Sequence, residues 1–339
     1  MHDVVVAGGG PAGLAVAIGA ARAGLDVVVC DRRMGVVDKA CGEGLMPGAL
    51  RALNRLDVDP PGHVIRGITY RQHATTARAP FRCGIGRGVR RTALHAAMRD
   101  ALHAQGVPLL ERTISTVEQH DEHVVAAGLR ARYVVAADGL HSPLRAAMGL
   151  DVADTAQPRW GLRRHYALAP FSDFVEVTWA DRSEAYVTPI AEDTVGIAIL
   201  SSARGGFDAQ ITAFPELSAR IAQAAPLSSV RGAGPLRQRV RRRVSGRVLF
   251  VGDAAGYIDA LTGEGLAVAL AAAEELVVCL ARDRPDRYEA AWARVSRRSR
   301  WITSGLLWAR RTPMLGTRVV PLAATAPRLF GAAVDRLAR

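Results

Sequence analysis

The sequence predicts an α/β fold in which a Rossmann-like nucleotide-binding domain carries an inserted antiparallel β-sheet and ends in C-terminal helices. Three observations lead to this prediction. Residues 3–7, DVVVA, read as a buried strand that runs into the turn GGGPAG and an alanine-rich helix. Alternating runs such as FVEVTWA and EAYVTPI indicate an antiparallel sheet. From Arg282 onward the apolar residues follow a helical period.

The N-terminal unit has the glycine pattern of a dinucleotide site. Gly8, Gly10 and Gly13 form GxGxxG between the first strand and a helix predicted over residues 11–23. Gly8 permits the tight turn, Gly10 lets the backbone approach a pyrophosphate, and Gly13 lets the helix pack closely on the strand. The helix would begin at Pro11 and Ala12, with its N-terminus facing the anion.

A second strand supplies the acid that such a site needs. DVVVCD ends at Asp31, about the expected distance after the glycines for a carboxylate that binds an adenosine ribose. Asp31 favours a free 2′-hydroxyl over a 2′-phosphate, so FAD or NAD is favoured over NADP. We also place the next residue, Arg32, among the cofactor-binding candidates.

Two later strand ends carry polar signatures. The segment from residue 107 to residue 139 reads as strand, hairpin and strand, and ARYVVAADGLHSPLR then fits the pattern DGxxSxxR. Further along, GRVLFVGDAAG reads as a buried strand that ends in a Gly-Asp pair. The residues concerned are Asp138, Gly139, Ser142 and Arg145 in the first pattern, and Gly252 and Asp253 in the second.

The three motifs in this order resemble the para-hydroxybenzoate hydroxylase superfamily of FAD enzymes, which includes geranylgeranyl reductases and flavin-dependent halogenases. The resemblance implies an FAD-binding domain of the glutathione-reductase-2 type that holds FAD tightly and non-covalently. It gives Asp253 the ribityl hydroxyls and places Asp138 and Gly139 near the pyrophosphate and the incoming nicotinamide. It also assigns Arg91, in the RxxL pattern that ends at Leu94, to the cofactor, whereas the plain alternative is a solvated arginine at a helix start.

The segment after Asp253 reads GYIDALTGEGLAVAL, and it predicts a helix start with Thr262 as N-cap. Backbone N–H groups of Gly263, Gly265 and Leu266 would then face the reduced flavin, whose negative charge a helix N-terminus stabilises.

The segment from residue 39 to residue 50, KACGEGLMPGAL, resembles the CGGGL or CGEGI loop of geranylgeranyl reductases, as TGEGL resembles their later motif. We expect Cys41 and Gly42 at the flavin, and Cys41, Glu43 and Tyr186 as catalytic candidates that position substrate or move a proton. Burial of the thiol as a core residue and packing of Tyr186 and Pro189 within the sheet are the alternatives.

These patterns divide the chain into three parts. The predicted parts are a discontinuous FAD-binding domain of residues 1–63, 85–150 and 236–280, a substrate-binding β-sheet domain of residues 64–84 and 151–235, and a C-terminal helical segment of residues 281–339.

The leading functional prediction is an FAD-dependent monooxygenase. NADH or NADPH would act as transient reductant, oxygen would form a flavin C4a-hydroperoxide, and a fairly apolar aromatic or polyketide-derived substrate would be hydroxylated. GYIDALTGEGL resembles small flavin hydroxylases associated with type III polyketide synthases, which supports this prediction.

Three alternatives stay open. CGEGL and TGEGL favour a geranylgeranyl-reductase-like enzyme that reduces isoprenoid double bonds. A flavin-dependent halogenase ranks lower, because the chain has no WxWxIP sequence and Lys39 is its single lysine. A non-catalytic flavin-binding scaffold is the last alternative.

The charge and the aromatic content of the chain indicate which classes of partner it binds. The formal net charge of +12 comes almost wholly from scattered arginines, with RQRVRRR as the one local run, and aromatic residues make up only 5% of the chain. We therefore expect no nucleic-acid partner, but a small apolar aromatic or lipid-like substrate, in a monomer or homodimer. The amphipathic C-terminal segment either packs on the core or contacts a membrane peripherally.

The remaining sequence signals concern compartment and metal. Cys30, Cys41, Cys83 and Cys279 form no CxxC pair, and no clustered metal ligands are visible, so we expect reduced thiols and no metal. HDVVVAGGG has neither the basic nor the apolar region of a signal peptide, and no apolar run is long enough to span a bilayer. The expected location is cytoplasmic, with peripheral membrane contact as the variant.

Overall fold

The computed structural model describes residues 1–339, and the side chains at positions 313 and 314 lie outside the description. The helices of the chain are α1 Pro11–Arg22, α2 Pro47–Asn54, α3 Arg91–Ala104, α4 Pro143–Ala147, α5 Phe207–Gln210, α6 Pro215–Ile221, α7 Gly265–Ala281, α8 Tyr288–Arg311, α9 Pro313–Gly316, α10 Val319–Thr325 and α11 Pro327–Ala338.

The strands of each large sheet come from separate stretches of sequence, three for the first sheet and two for the second. They are β1 His2–Ala7, β2 Val27–Asp31, β3 Gly44–Leu45, β4 His63–Ile65, β5 Gly67–Gln72, β6 Thr75–Pro80, β7 Gly86–Gly88, β8 Leu109–Glu111, β9 Glu118–Gln119, β10 Val124–Ala126, β11 Leu129–Ala136, β12 Asp151–Val152, β13 Trp160–Ala167, β14 Phe174–Trp179, β15 Ser183–Ala191, β16 Thr194–Ser201, β17 Arg231–Ala233, β18 Arg239–Val240, β19 Val244–Ser245 and β20 Val248–Phe250.

The first large sheet is the nucleotide-binding half. Its main path runs β19-β20-β11-β1-β2-β8, and the four pairings from β20 to β8 are parallel. Val5 at the centre pairs with Val28 on one side and Val134 on the other, and all three are buried. Helices cover both faces of such a sheet, which explains the unbroken valine runs of its strands.

The topology brings the three motif-bearing strands together. β1, β11 and β20 are neighbours in the sheet although they lie more than a hundred residues apart in sequence. Because they run parallel, their carboxyl ends meet at one edge, and that edge is where ligands bind in open α/β sheets. The predicted α/β class and the Rossmann-like domain are confirmed.

The second large sheet has the order β17-β13-β16-β15-β14-β5-β6. Its pairings are antiparallel, as predicted, with one exception: β14 pairs with β5 in parallel. The parallel pair arises because β5 and β6 come from the early insertion and β14 from the late one, so no hairpin joins them. The sheet therefore combines both inserted stretches of sequence.

The C-terminal helices pack on this sheet. Val320 of α10 and Val334 of α11 are buried in the same apolar cluster as Tyr70 and Val177 of the sheet. One face of α8 is buried, including Trp292 and Leu307. Core packing is thus part of the role of this segment. Among the described residues, no helix combines the length and the apolar character needed to cross a membrane.

Candidate cofactor and substrate site

The glycine loop, residues Gly8–Gly13, lies between the ends of β1 and β11. Gly8 has φ +112°, and a Cβ there would lie 2.4 Å from the carbonyl oxygen of Ala137. A Cβ on Gly13 would lie 2.0 Å from the carbonyl oxygen of Gly8. Both glycines are therefore required by close backbone approach.

The remaining glycine of the pattern faces open space. A Cβ on Gly10 would meet no atom within 4 Å. Gly10 is also the N-cap of α1, without a side-chain cap, and Pro11 follows at the first helical position. The first-turn N–H groups of α1 are thus available to an anion, as the sequence predicts.

The acid at the end of β2 supports the loop directly. Asp31 Oδ2 accepts a hydrogen bond from Gly9 N at 2.8 Å, and Oδ1 accepts one from Arg33 N at 2.9 Å. Each oxygen keeps a further lone pair for a hydroxyl group. The neighbouring Arg32 is exposed.

His95, on α3, holds the loop from the other side. Its Nδ1 accepts from Val37 N at 2.9 Å, so Nε2 carries the proton and donates to the carbonyl oxygen of Gly9 at 2.7 Å. Burial lowers the pKa of His95, which favours this neutral form. The sequence analysis missed His95, although it lies one helical turn after Arg91.

The residues of the DGxxSxxR pattern support the backbone that follows β11. Asp138 Oδ2 accepts from Leu144 N at 3.1 Å, and Ser142 caps α4 by accepting from Arg145 N at 3.0 Å. Gly139 has φ +91°, and a Cβ there would lie 3.5 Å from Lys39 Nζ. The pattern thus fixes the chain as it leaves β11.

Arg145 then joins this segment to the turn after β20. It is only 2% exposed, and its Nη1 donates to the carbonyl oxygens of Asp253 and Ala254 at 3.4 and 3.2 Å. Its Nη2 donates to Leu140 O at 2.9 Å. One buried guanidinium therefore holds two motif-bearing strand ends together. The sequence pattern includes Arg145 but does not predict this role.

Gly252 and Asp253 follow β20, the third of the motif-bearing strands. Gly252 has φ +63°, and a Cβ there would lie 2.7 Å from Cβ of Ala12, so this turn contacts the start of α1. The side chain of Asp253 reaches the open cleft. Desolvation by surrounding protein atoms raises its pKa, whereas the nearby cations Lys39 and Arg91 act to lower it.

Arg91 is the first residue of α3 and is buried. Its pKa is lowered by that burial, against the attraction of Cys41 and Asp253. Its Nη1 atom is buried without a hydrogen-bond partner among the described residues. An unpaired buried guanidinium nitrogen is costly, and this one is placed to contact a ligand in the cleft.

The anchored loop, residues Asp38–Glu43, passes near Asp253, whose charge acts on Lys39 of the loop. Glu43 adopts φ 60° and is buried, and its Oε1 accepts from Arg91 N at 2.8 Å. Its Oε2 lies 2.6 Å from Nε2 of His165 on β13. Both oxygens of this predicted catalytic acid are thus engaged inside the protein.

Arg163 and His165 project from β13 to hold the loop. Arg163 is 1% exposed, donates to Asp38 and to Lys39 O, and its Nη1 lies 3.1 Å from His165 Nδ1. Because Nδ1 accepts that bond, Nε2 carries the proton and donates to Glu43. Sequence reasoning missed both residues, because no local pattern marks a strand that contacts a loop 120 residues away.

Cys41 and Gly42 stand at the tip of the anchored loop. Cys41 Sγ accepts from Glu43 N at 3.4 Å, and Gly42 O accepts from Thr188 Oγ1 of β15 at 2.8 Å. Cys41 is partly exposed, and Gly42 is exposed. Burial and the Glu43 carboxylate raise the pKa of Cys41, so the thiol stays protonated at neutral pH.

The turn segment, residues Gly252–Gly265, ends at α7. The prediction that Thr262 caps this helix is wrong: Thr262 Oγ1 bonds Thr303 Oγ1 of α8 at 2.9 Å, and the N-cap position is Glu264. A left-handed turn at Gly263, φ +70°, separates Thr262 from the helix and redirects its side chain.

The same turn changes which N–H groups are free. Gly263 N donates to Ala260 O at 3.0 Å, so it is not available to a ligand as predicted. The helix starts at Gly265, which leaves its own N–H and that of Leu266 in the uncapped first turn.

Buried charges fix the middle of the turn segment. Arg159 Nε lies 3.0 Å from Asp259 Oδ2, and its Nη2 lies 2.5 Å from Glu184 Oε2. Arg310 of α8 completes a balanced four-charge cluster by pairing with Glu184. Nearby, Tyr186 OH donates to Leu261 O at 2.8 Å, so this predicted catalytic phenol supports the turn.

A cavity of about 850 Å³ lies behind the turn segment. One wall includes Tyr257, Thr262 and Gly265, a second consists of α8 residues between Trp292 and Gly305, and a third comes from the arginine-rich run of residues 237–243. The cavity is within the size range of small-molecule sites.

Comparisons with known proteins agree with this geometry. Residues 1–284 match the family described as FAD binding domain. The chain belongs to this family of FAD-binding proteins. It is accordingly an FAD-dependent oxidoreductase of the para-hydroxybenzoate hydroxylase and geranylgeranyl reductase superfamily, as the motifs indicated.

Two curated relatives cover most of the FAD-binding chain. Digeranylgeranylglycerophospholipid reductase 2 of Methanopyrus kandleri is 28% identical over 303 residues, which is 79% of this chain and 74% of the relative. Menaquinone reductase of Mycobacterium tuberculosis is 26% identical over 304 residues, 78% of this chain and 72% of the relative.

Solved structures with the same fold include the flavin-dependent halogenase CmlS, with TM-score 0.81 and 18% identity over 99% of this chain and 72% of that one. The flavin-dependent brominase Bmp2 gives TM-score 0.77 and 18% identity over 99% and 93% of the two chains. At this identity the likeness describes the fold.

The residues of the cleft fit FAD. Gly10 leaves backbone space for a pyrophosphate, and two buried polar atoms, Arg91 Nη1 and Asp138 Oδ1, lack partners among the described residues. The open-facing carboxylate of Asp253 matches a ligand rich in hydroxyl groups. These features occur at the one edge where the three motif-bearing strands end.

Proposed function

We propose that this FAD-dependent oxidoreductase reduces carbon–carbon double bonds in the isoprenoid chain of a lipid or quinone, with NADH or NADPH as electron donor. The observation that carries the proposal is the Cys41 thiol, which stays protonated, accepts a hydrogen bond from Glu43 N and lies near the candidate cofactor residue Arg91. The similarity to two reductases whose names specify prenylated substrates supports it.

Saturation of an alkene requires a hydride at one carbon and a proton at the other. FAD, once reduced, supplies the hydride chemistry. We assign the proton to the Cys41 thiol, because its raised pKa keeps the proton on sulfur until a carbon takes it. Solvent then returns a proton to the thiolate, so the thiol is restored after each turnover.

The other cleft residues would hold the reactants. Asp253 and Arg91 would bind the cofactor, and the α1 N-terminus would accept its pyrophosphate. Glu43 is a positioning residue in this proposal, since its carboxylate binds Arg91 N and His165 rather than facing the cleft. Tyr186 would act through the turn segment, by its bond to Leu261.

Monooxygenation is the second candidate, because GYIDALTGEGL resembles small flavin hydroxylases. Halogenation is less supported: the single lysine, Lys39, lies beside Gly139 at the nucleotide-binding sheet and not on the second sheet.

Anaerobic turnover separates the candidates. Holoenzyme, NADPH or NADH, and a geranylgeranyl lipid or prenylated quinone should give products two mass units heavier for each saturated bond, without oxygen. An oxygenated product that forms only in air would establish the monooxygenase and sink the reductase proposal.

Two variants test which residue donates the proton and which residue binds FAD. Cys41→Ala should lower product formation about a hundredfold, while NAD(P)H still reduces the flavin, because only the proton donor is lost. Asp253→Ala should instead weaken FAD retention, because a charged acceptor of ribityl hydroxyls is removed. Normal product formation by Cys41→Ala would remove the thiol from the mechanism.

A further inference from the structure

One face of α8 presents an exposed stripe of two tryptophans between arginines. The stripe consists of Arg298, Trp301, Ser304, Gly305, Trp308 and Arg311, at helical spacing, and all six residues are exposed. The opposite face, with Ser296, Thr303 and Leu307, is buried. The helix therefore turns one side to the core and the other side outward.

The tryptophans are far more exposed than this residue type usually is. Trp301 is 78% exposed and Trp308 is 65% exposed. Tryptophan is highly buried on average in globular proteins, so two exposed rings one above the other form an apolar surface that needs a partner.

The charge around the stripe is of one sign. Between residues 290 and 334 the chain has eight arginines and no aspartate or glutamate. Arg310 pairs with the buried Glu184 and Arg294 with Glu275, so six of the eight arginines have no salt bridge among the described residues. A partner of the stripe must therefore offer an apolar layer for the tryptophan rings and negative charge for the arginines.

The cavity behind the turn segment connects with the stripe. Trp301, Ser304 and Gly305 line the cavity and are also exposed on the outer face of α8. Trp301 therefore belongs both to the stripe and to the cavity wall, and we place the mouth of the cavity beside it. An apolar substrate would enter there without crossing water, an argument that rests on the proposed lipid-like substrate.

We propose that the α8 stripe binds the surface of a bilayer that contains anionic phospholipids, with α8 lying in the interface plane. Tryptophan rings settle at the headgroup level of membranes, and arginines attract anionic lipids. The net effect is to hold the cavity mouth against the lipid from which substrate is taken.

Vesicle sedimentation tests the surface. The full-length holoprotein should bind vesicles of phosphatidylglycerol and phosphatidylcholine, should bind pure phosphatidylcholine vesicles weakly, and should release as salt increases. The variant Trp308→Ala/Arg298→Ser should bind about fiftyfold more weakly, about tenfold from the ring and about fivefold from the charge.

Leu227→Ala is the matched control, because Leu227 is an exposed apolar residue outside the C-terminal segment, and its vesicle binding should be unchanged. FAD content should be equal in all three proteins. Equal affinity for anionic and neutral vesicles, or undiminished binding by Trp308→Ala/Arg298→Ser, overturns the proposal, as does failure of the parent to bind.

A soluble substrate keeps this proposal distinct from the reductase proposal. With a short-chain prenyl substrate in solution, the double variant should react as fast as the parent, because neither residue lines the cavity. Turnover without vesicle binding contradicts the α8 proposal alone. Vesicle binding without turnover of any prenyl substrate contradicts the reductase alone.

Discussion

The glycine loop and the anchored loop stand on opposite sides of one cleft and are held in different ways. In the glycine loop, Gly8 and Gly13 fit because they have no side chain, and the closest neighbours are backbone atoms. In the anchored loop, Glu43 is fixed by two side chains of β13, the hydrogen-bonding His165 and the cationic Arg163. The first region depends on close backbone approach, and the second on pairing of buried charges.

This difference predicts how each region fails. Added volume should destroy the glycine loop, since backbone cannot move aside. Removal of the Arg163 charge should damage the anchored loop, since the buried carboxylate of Glu43 would lose its arginine partner.

Gly13→Ala should have the largest effect. The new methyl group would lie 2.0 Å from Gly8 O, so we expect a loss of at least about 5 kcal/mol in unfolding free energy, or no soluble holoprotein. Gly10→Ala is the control, because its Cβ meets nothing within 4 Å; it should keep stability and weaken FAD binding. Denaturant titration and FAD content measure both, and a stable Gly13→Ala protein would break the comparison.

Arg163→Met should come next. It removes the arginine paired with the buried Glu43, and one of the two arginines paired with Asp38, which keeps Arg231; the cost should be about 4 kcal/mol. Arg164→Met on the same strand is the control: Arg164 pairs with the exposed Asp208, so the cost should stay below about 1 kcal/mol. Equal losses in the two variants would mean that the buried charges do not anchor the loop.

Glu264→Gln extends the comparison to the turn segment. Burial raises the pKa of Glu264 to about 7 from 4.5, so the folded state binds the proton more tightly than the unfolded state. The stability from that proton is present below pH 4.5 and is lost as pH rises to 7 and above. Glutamine stays neutral, so the variant should exceed the parent by up to about 3 kcal/mol at pH 8.

Thermal unfolding across pH 4.5 to 8 measures this difference, which should shrink as pH falls. The exposed Glu122→Gln serves as control and should follow the parent throughout. A constant offset between Glu264→Gln and the parent would show that the carboxyl does not titrate in this range.

Asp31→Asn should have the smallest effect. An amide oxygen still accepts from one of the two N–H groups, so we expect about 1 kcal/mol of stability and about tenfold in FAD affinity to be lost. Fluorescence titration of the apoprotein with FAD gives the affinity. An unchanged affinity would assign Asp31 to loop support alone.

Local sequence predicted the parts of the fold that repeat a short pattern. β1, α1 and β2 occur where the valine runs and GxGxxG indicated them, and both inserted stretches form a common sheet. The parallel β14–β5 pair could not be predicted, because nothing in either strand records which distant segment lies beside it.

The candidate site shows the same division. Sequence marked Cys41, Arg91 and Asp253 through their motifs, and the fold brings Arg91 close enough to both other residues to affect its pKa. Their binding of FAD stays a prediction. Sequence reasoning missed the cap position at Glu264, since the left-handed turn at Gly263 is not visible in TGEGL.

The sequence by itself determined the class of the molecule: an α/β protein that binds FAD, with glycines wherever backbone must meet backbone. That requirement is local, since a glycine in the sequence shows directly where the chain has no side chain. Only the tertiary structure decided the roles of Arg145, Arg163 and His165. The effect of a buried polar or charged side chain depends on its hydrogen-bond and ion-pair partners, and the fold brings these partners from elsewhere in the chain.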